Sequence, residues 1–392
     1  PNLDKTGPLV VEYSAGKIAG FVMDCWQRPL IDFGLPGPER GATGGRMLLL
    51  GPGQRGPDDV SEFHVVRSTT RLVAVVYRVL NRAEADRYTP HNRLYPHAQR
   101  SHAAAPRVFA ARKQFRQSQP RGIAYWEWLH ELVHDEPVQE RDRLFMGMLR
   151  SLGIEKGRPF EPDQRMQQLL EDAALLGEQI VRAGLHEKRN AGLYYREGTQ
   201  WLFAVPLDPQ QRQDHFDQFD ERTDYFYRAI GCSHPGQATT PGLGPTSLCT
   251  YRDRDGDYLD GGQVYRLRIP PGAPIRQFWA LTVYDLDTRN LSAKESVNAE
   301  IFSNSGGLKT NEDGSVDVHF APYPPDGWQN NWIQTEAGRF WFLYLRLSAP
   351  TEPYYERSWP LPDIEKVTSP LKGWWATLSK SARTLGPNAR PE

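Results

Sequence analysis

Two β-rich domains separated by a helical segment are what this sequence predicts, and three observations carry that expectation. The chain has 392 residues, more than one hydrophobic core usually serves. Its apolar pattern switches from short strand-like runs to helical spacing and back. Its 34 Gly, 32 Pro and 11% aromatic residues suit strands joined by tight turns. With 39% apolar and 24% charged residues the composition is that of an ordinary soluble protein.

The elements follow in order. Leu9–Tyr13, Ile18–Met23, Arg46–Leu50, Phe63–Arg67 and Leu72–Arg78 are short aliphatic or aromatic runs bounded by Gly, Pro and Asp, and read as strands. The stretch Gly34–Gly45 holds five glycines and two prolines and reads as a connection. Residues 81–120, rich in Arg, Pro and His, read as a long surface connection. Helical spacing begins at Tyr125–His134, repeats at Arg141–Leu152 until Gly153, and returns after Pro162 from Asp163 to His186. Strands resume after Gly198, with one helix at Asp214–Ile230. Gln263–Ile269, Ile275–Asp285, Ser315–Phe320 and Arg339–Leu347 are the strongest of these strands. The expected division is therefore an N-terminal β domain at 1–120, a helical insert at 121–197, a C-terminal β domain at 198–367 and a tail at 368–392. In the tail, Leu371, Trp374, Trp375 and Leu378 have the spacing of a short docking helix.

Bulk properties narrow the partners. A net charge of −1 supplies no general field for nucleic acid or an anionic membrane. The densest basic patch, Arg112, Lys113 and Arg116, is either a polyanion contact or a solvated face. No apolar run approaches the roughly 20 residues of a transmembrane span. Cys25, Cys232 and Cys249 form neither a disulfide framework nor a zinc cluster. A Cys232–Cys249 bridge and free buried thiols both stay open, so cytoplasmic and periplasmic or secreted locations stay open too. The first residue is Pro1, which points to a processed leader or a longer gene product.

Several groups of residues could carry chemistry. Read as a strand, Asn2, Asp4 and Thr6 share one face, either as a ligand wall or as a buried hydrogen-bond network. Asp24, after the strand Ile18–Met23, could approach Asp4, and two close carboxylates would give an acid and a base. Asp253, Asp255, Asp257 and Asp260 form an oxygen-rich loop with Gly256 at a turn. Calcium is the cation such a loop would take, and a hairpin with solvated acids is the alternative. Arg222, beside Tyr225 and Tyr227, could clamp an anion or tie its helix to a sheet. Trp279 and Tyr284 fall on opposite faces of one strand, so one faces core and Tyr284 is a candidate ligand contact. Trp332 either stacks on a sugar or plugs the end of a domain. His130-Glu-Leu-Val-His134 spells a zinc motif on a helix, with no third ligand evident, and otherwise reads as two surface histidines. No nucleophile elbow, phosphate loop or dinucleotide fingerprint occurs.

An ordered series of motifs carries a resemblance. It comprises Tyr251-Arg-Asp-Arg-Asp-Gly-Asp-Tyr-Leu-Asp-Gly261, Tyr265-Arg-Leu, Phe278-Trp-Ala-Leu-Thr-Val-Tyr-Asp285, Asn311-Glu-Asp-Gly-Ser315, Asn331-Trp332 and Trp359-Pro-Leu-Pro362. Upstream stand Asn2-Leu-Asp4-Lys-Thr6, Leu48-Leu-Leu-Gly-Pro-Gly53 and Leu152-Gly-Ile154. Together they resemble a bacterial two-domain family whose halves are domains of unknown function 1254 and 1214. The resemblance implies two β-sandwich, jelly-roll-like domains joined by helices, and a segment before Pro1. It implies no settled reaction. Three roles are therefore expected of the chain. The first is an enzyme acting on a polar small molecule or glycan-like substrate through Asp, Asn, Tyr and Arg side chains, with a divalent cation as an option. The second is a non-catalytic sandwich that binds a ligand or forms a homo-oligomer. The third is an envelope interaction protein.

Overall fold

The first residues make a turn of helix, α1 (Leu3–Thr6), because the Asn2 side chain accepts the N–H groups of Asp4 and Lys5 and Gly7 stops the turn at φ +68. This corrects the expectation of a strand over Asn2–Thr6. In a helical turn the three polar residues no longer share a face. Asn2 turns inward to the backbone, and the apolar contact falls to Leu3, which is fully buried. The computed structural model describes residues 1–367 apart from 17, 27, 35–42, 80–84, 103–118, 187–192, 205–213, 217, 233–240, 243 and 292–298. Arg112, Lys113, Arg116 and the tail motif at 371–378 lie outside the described residues.

Two compact units divide the chain, one of residues 1–115 with 120–176, the other of 116–119 with the remainder from 177. In the first unit the strands are β1 (Leu9–Tyr13), β2 (Ile18–Asp24), β3 (Pro29–Gly34), β4 (Gly45–Leu50), β5 (His64–Arg67), β6 (Val73–Val79) and β7 (Arg93–Pro96), with a short α2 (Ala85–Tyr88) before β7. They form a four-stranded sheet in the order β5-β4-β1-β7 and a three-stranded sheet in the order β3-β2-β6. Alternation sorts β1 by face. Leu9, Val11 and Tyr13 meet Ile18, Val22, Phe33 and Val73 between the sheets, while Val10 joins Leu48 and Leu50 on the outer face. The strands β3 and β7 were not expected, since each sits against Gly- or Arg-rich sequence and gains its identity only from its partner strand.

Three helices follow in the chain: α3 (Ile123–Asp135), α4 (Arg143–Arg150) and α5 (Gln164–His186). Glu136, next to the end of α3, is 1% exposed, and its carboxylate accepts the N–H groups of Arg71 and Leu72 at 2.6 and 2.8 Å. One buried acid thus ties the helix to the entry of β6 by charge-assisted hydrogen bonds.

The second unit contains β8 (Leu202–Phe203), α6 (Phe219–Cys232), β9 (Pro245–Thr250), β10 (Tyr265–Ile269), β11 (Trp279–Asp285), β12 (Glu300–Phe302), β13 (Val316–Ala321), β14 (Trp332–Gln334), β15 (Trp341–Ser348), α7 (Glu352–Tyr355) and β16 (Glu365–Lys366). A four-stranded sheet, β14-β13-β10-β16, and a five-stranded sheet, β12-β11-β15-β9-β8, enclose a common core. Leu267, Phe320 and Ile333 come from the first, and Leu281, Trp341 and Leu345 from the second. This is a sandwich, and no barrel closes. Every residue of β11 is buried, because Tyr284, Phe342 and Tyr344 make a second apolar layer on its outer face. Among the described residues, no helix is long and apolar enough to cross a membrane.

Candidate functional site

The strand β1 carries one charged residue in an otherwise apolar run, and that residue organises a site in the first unit. Glu12 is 8% exposed. An acid so buried needs partners, and sheet register provides them. Glu12 stands directly opposite Arg46 on β4 and Arg93 on β7. Arg46 Nε donates to Glu12 Oε1 at 2.8 Å, Arg93 Nε to Oε2 at 2.8 Å, and the Tyr95 hydroxyl to Oε1 at 2.8 Å. Burial on its own would raise the Glu12 pKa. The hydrogen bonds from Tyr95, Arg93 and Arg46 outweigh it and hold the carboxyl below the ordinary range. The Tyr95 hydroxyl is pushed up to about 12, first by burial and then by its bond to the ionised Glu12.

The row of alternating charge, Arg46–Glu12–Arg93, floors a cavity of about 610 Å³ that Tyr13, Tyr88, Arg87 and His91 also line. A second cavity, of about 450 Å³, shares these three residues and adds Glu62, Tyr95 and Arg100. The Gly44–Gly45 corner leaves the first cavity its room. Gly44 has φ +73, and a Cβ on Gly45 would stand 2.6 Å from the Tyr13 hydroxyl. Asn92 holds the facing corner by accepting from the Ser14 N–H and hydroxyl at 3.0 and 3.3 Å.

The first cavity is cationic, with three guanidiniums lining it against one carboxylate. Arg46 Nη2 and Arg93 Nη1 make no hydrogen bond among the described residues, and Arg87 and His91 have no carboxylate partner there. Such an arrangement offers spare planar N–H donors, which suit a carboxylate or phosphate on a small polar molecule. Glu12 is no poised base, since three donors hold it ionised.

The residues singled out in the sequence lie elsewhere. Asp4 pairs with Arg71 at the surface, and Asp24, 3% exposed, pairs with Arg28 Nε at 2.5 Å. Each carboxylate has its own guanidinium, and neither lines the two cavities. The Thr6 hydroxyl donates within its own turn, to the carbonyls of Asn2 and Gly7. Asp253 Oδ1 accepts the N–H groups of Asp255 and Asp257, both at 3.0 Å, while Asp260 Oδ1 accepts from Gly262. The loop therefore uses its acids to fold itself. Among the described residues, no group of three His, Cys, Asp or Glu side chains is placed to hold a metal ion.

Arg222 and Tyr225 fall on α6, and their side chains lie outside the described residues, as does that of Cys232. Tyr284 faces away from the core occupied by Trp279, as alternation requires, and its hydroxyl accepts from Arg346. Trp332 is 8% exposed and donates its indole N–H to the Ala321 carbonyl at 2.9 Å, which makes it a plug in its own sheet. His130 Nε2 lies 2.8 Å from the Arg158 carbonyl, and His134 Nδ1 accepts the Gly157 N–H at 3.3 Å. Both histidines fasten α3 to the loop that follows α4.

A family model described as "Protein of unknown function (DUF1254)" matches residues 2–97, and one described as "Protein of unknown function (DUF1214)" matches residues 245–352. Among solved structures, the chain is similar to the VPA0106 protein from Vibrio parahaemolyticus at 18% identity, with 93% of this chain and 86% of that chain covered and a TM-score of 0.52. An uncharacterized protein from Burkholderia cenocepacia aligns at 13% identity over 92% of this chain and 72% of that chain, with a TM-score of 0.39. The first likeness is one of fold. No curated protein matches the chain.

Proposed function

From a chain that belongs to the family pairing the DUF1254 and DUF1214 domains, we propose a ligand-binding function for the N-terminal unit, with a small anionic molecule held in the Glu12–Arg46–Arg93 cavity. One observation carries the reading: the cavity presents three guanidiniums around a single, fully hydrogen-bonded carboxylate. Binding an anion needs fixed donors and excess positive charge, and Glu12 provides the fixing by locking two of the three arginines in register. General-base chemistry needs a carboxylate free to take a proton, and Glu12 is held against that. In this reading Glu12 fixes the arginines and does not serve as the base.

The test is thermal-shift and calorimetric titration with inorganic phosphate, citrate and glucuronate, with glucose as the uncharged control. An anion at about 100 times its Kd adds roughly 2.7 kcal/mol to the stability of the unit that holds it. Arg87→Gln and His91→Gln, which alter the cavity wall without touching Glu12, should weaken binding of the anion that works. If no anion shifts the melting of the wild-type chain more than glucose does, the proposal fails.

A further inference from the structure

The two cavities of the N-terminal unit flank the Arg46–Glu12–Arg93 row along the strands. Tyr13 pairs with Gly45 one residue to one side of the row, and both line the first cavity. Tyr95 pairs with Val10 two residues to the other side, and Tyr95 lines the second cavity. These two rungs are three residues apart on β1, about 10 Å in a strand, so one small molecule laid over the row reaches both cavities. Beyond the shared row the cavities differ in charge. Among the described residues, the first adds Arg87 and His91 and no carboxylate. The second adds one guanidinium and one carboxylate, Arg100 and Glu62.

Arg100 Nη1 donates to Glu62 at 3.1 Å, and Glu62 also accepts from Arg46 Nη1 at 2.8 Å. The Glu62 side chain is 44% exposed, and a carboxylate has room for about four hydrogen bonds. Arg100 uses only Nη1, on Glu62 and His97, and its Nε and Nη2 make no hydrogen bond among the described residues. A second anion placed here would face both Glu12 and Glu62, so the cavity disfavours one. A hydroxyl group suits it, because a hydroxyl donates and accepts at the same time. From this contrast we propose that the ligand is a hydroxylated anion of the sugar-acid or sugar-phosphate class, with its anionic group at Arg46, Arg87 and Arg93 and its hydroxyls between Glu62 and Arg100. The assignment rests on the anion-binding reading above and adds the ligand's class to it. The cavity volumes, about 610 and 450 Å³, both fall within the ~300–1,000 Å³ of small-molecule sites.

Calorimetric titration of the full chain at pH 7 compares glucuronate with cyclohexanecarboxylate, which has the same ring size and charge without the hydroxyls, and glucose 6-phosphate with ethyl phosphate. Glucuronate or glucose 6-phosphate should bind at least about tenfold more tightly than its hydroxyl-free counterpart, the worth of one hydrogen bond to a charged group. The pair that shows the advantage tells a carboxylate head from a phosphate. Glu62→Leu and Arg100→Leu should each bring the affinity ratio of that pair close to one, whereas Arg87→Gln should weaken both members and keep the ratio. Circular dichroism melts check folding; should Glu62→Leu melt early, Arg100→Leu carries the comparison. Hydroxyl-free anions that bind as tightly as their sugar counterparts overturn this inference and leave the anion-binding reading standing. A ratio that survives both substitutions, or that Arg87→Gln lowers as much, overturns it too. No binding by any of the four anions removes the anion-binding reading and this inference with it.

Discussion

Lowering the pH from 7 to 5 tests the most exposed weakness of the second unit's sandwich, the burial of His319. This residue lies on the outer face of β13, opposite Arg266 on β10 and Trp332 on β14. It is 4% exposed, and its ring stands edge-on to Trp328 at 5.0 Å. Neither ring nitrogen has a hydrogen-bond partner among the described residues. Burial pulls its pKa down to about 4, with Arg266 adding to the effect and Asp317 opposing it. The sign follows from the folded value lying below the unfolded one. The unfolded chain takes up a proton as pH falls through about 6.5 while the fold refuses it, so the stabilisation is complete above 6.5 and is lost progressively towards 4. A gap of about 2.5 pH units corresponds to at most ~3.4 kcal/mol, of which ~2 kcal/mol has gone by pH 5. Urea unfolding followed by tryptophan fluorescence at pH 7 and pH 5, on wild type and His319→Phe, isolates this contribution. The variant loses no hydrogen bond and should be near neutral at pH 7. Its midpoint should fall less by pH 5, by an amount equivalent to about 2 kcal/mol. Acid loss from paired carboxylates such as Asp317 is common to both chains and cancels. Parallel losses in the two proteins would refute the reasoning.

Two further outcomes follow from buried groups in the first unit. Glu12→Gln removes the charge that separates Arg46 from Arg93. Breaking a buried pair costs about 3–5 kcal/mol, and the partial exposure of both arginines, 49 and 34%, reduces this to roughly 2 kcal/mol, read as a lower urea midpoint at pH 7. Because the Glu12 pKa is lowered in the fold, the wild-type advantage over this variant should be present above the ordinary glutamate range and fade as pH falls below about 4. Cys25 should be nearly inert. Its thiol is pushed up to about 12 by burial, then by the charges of Glu136 and Asp24, so its thiolate fraction at pH 8 is about a thousandth of an ordinary thiol's. Peptide-resolved iodoacetamide labelling of the folded chain should show this, and labelling at the rate of free glutathione would contradict it.

Periodicity alone placed the strong elements. Leu9–Tyr13 and Arg46–Leu50 lie within a residue of β1 and β4, and the three helices between residues 121 and 186 fall where the 3.6-residue pattern puts them. Alternation also put Trp279 and Tyr284 on opposite faces of one strand, and packing decided that Trp279 is the one in the core. These features are local, set by side chains a few residues apart, and one chain displays them in full. The match of both halves to domains of unknown function was legible for a related reason, since ordered short motifs survive where overall identity does not.

The cavity was not legible, although one sign of it was present: a glutamate inside the apolar run Leu9-Val-Val-Glu-Tyr13, where charge needs a partner. Which partner is a matter of register. Arg46 and Arg93 are 34 and 81 residues away from Glu12 and meet it only because β4 and β7 flank β1. The Asn2–Thr6 segment failed for the converse reason. Alternating polar residues fit a strand, but a capping side chain and a glycine stop made a helical turn instead, and each acid took the nearest guanidinium. The spacing of residues along this chain therefore determined its elements and its two-domain plan. Pairing between strands decided which charges face each other, because hydrogen-bond register brings distant residues together and no local pattern records it.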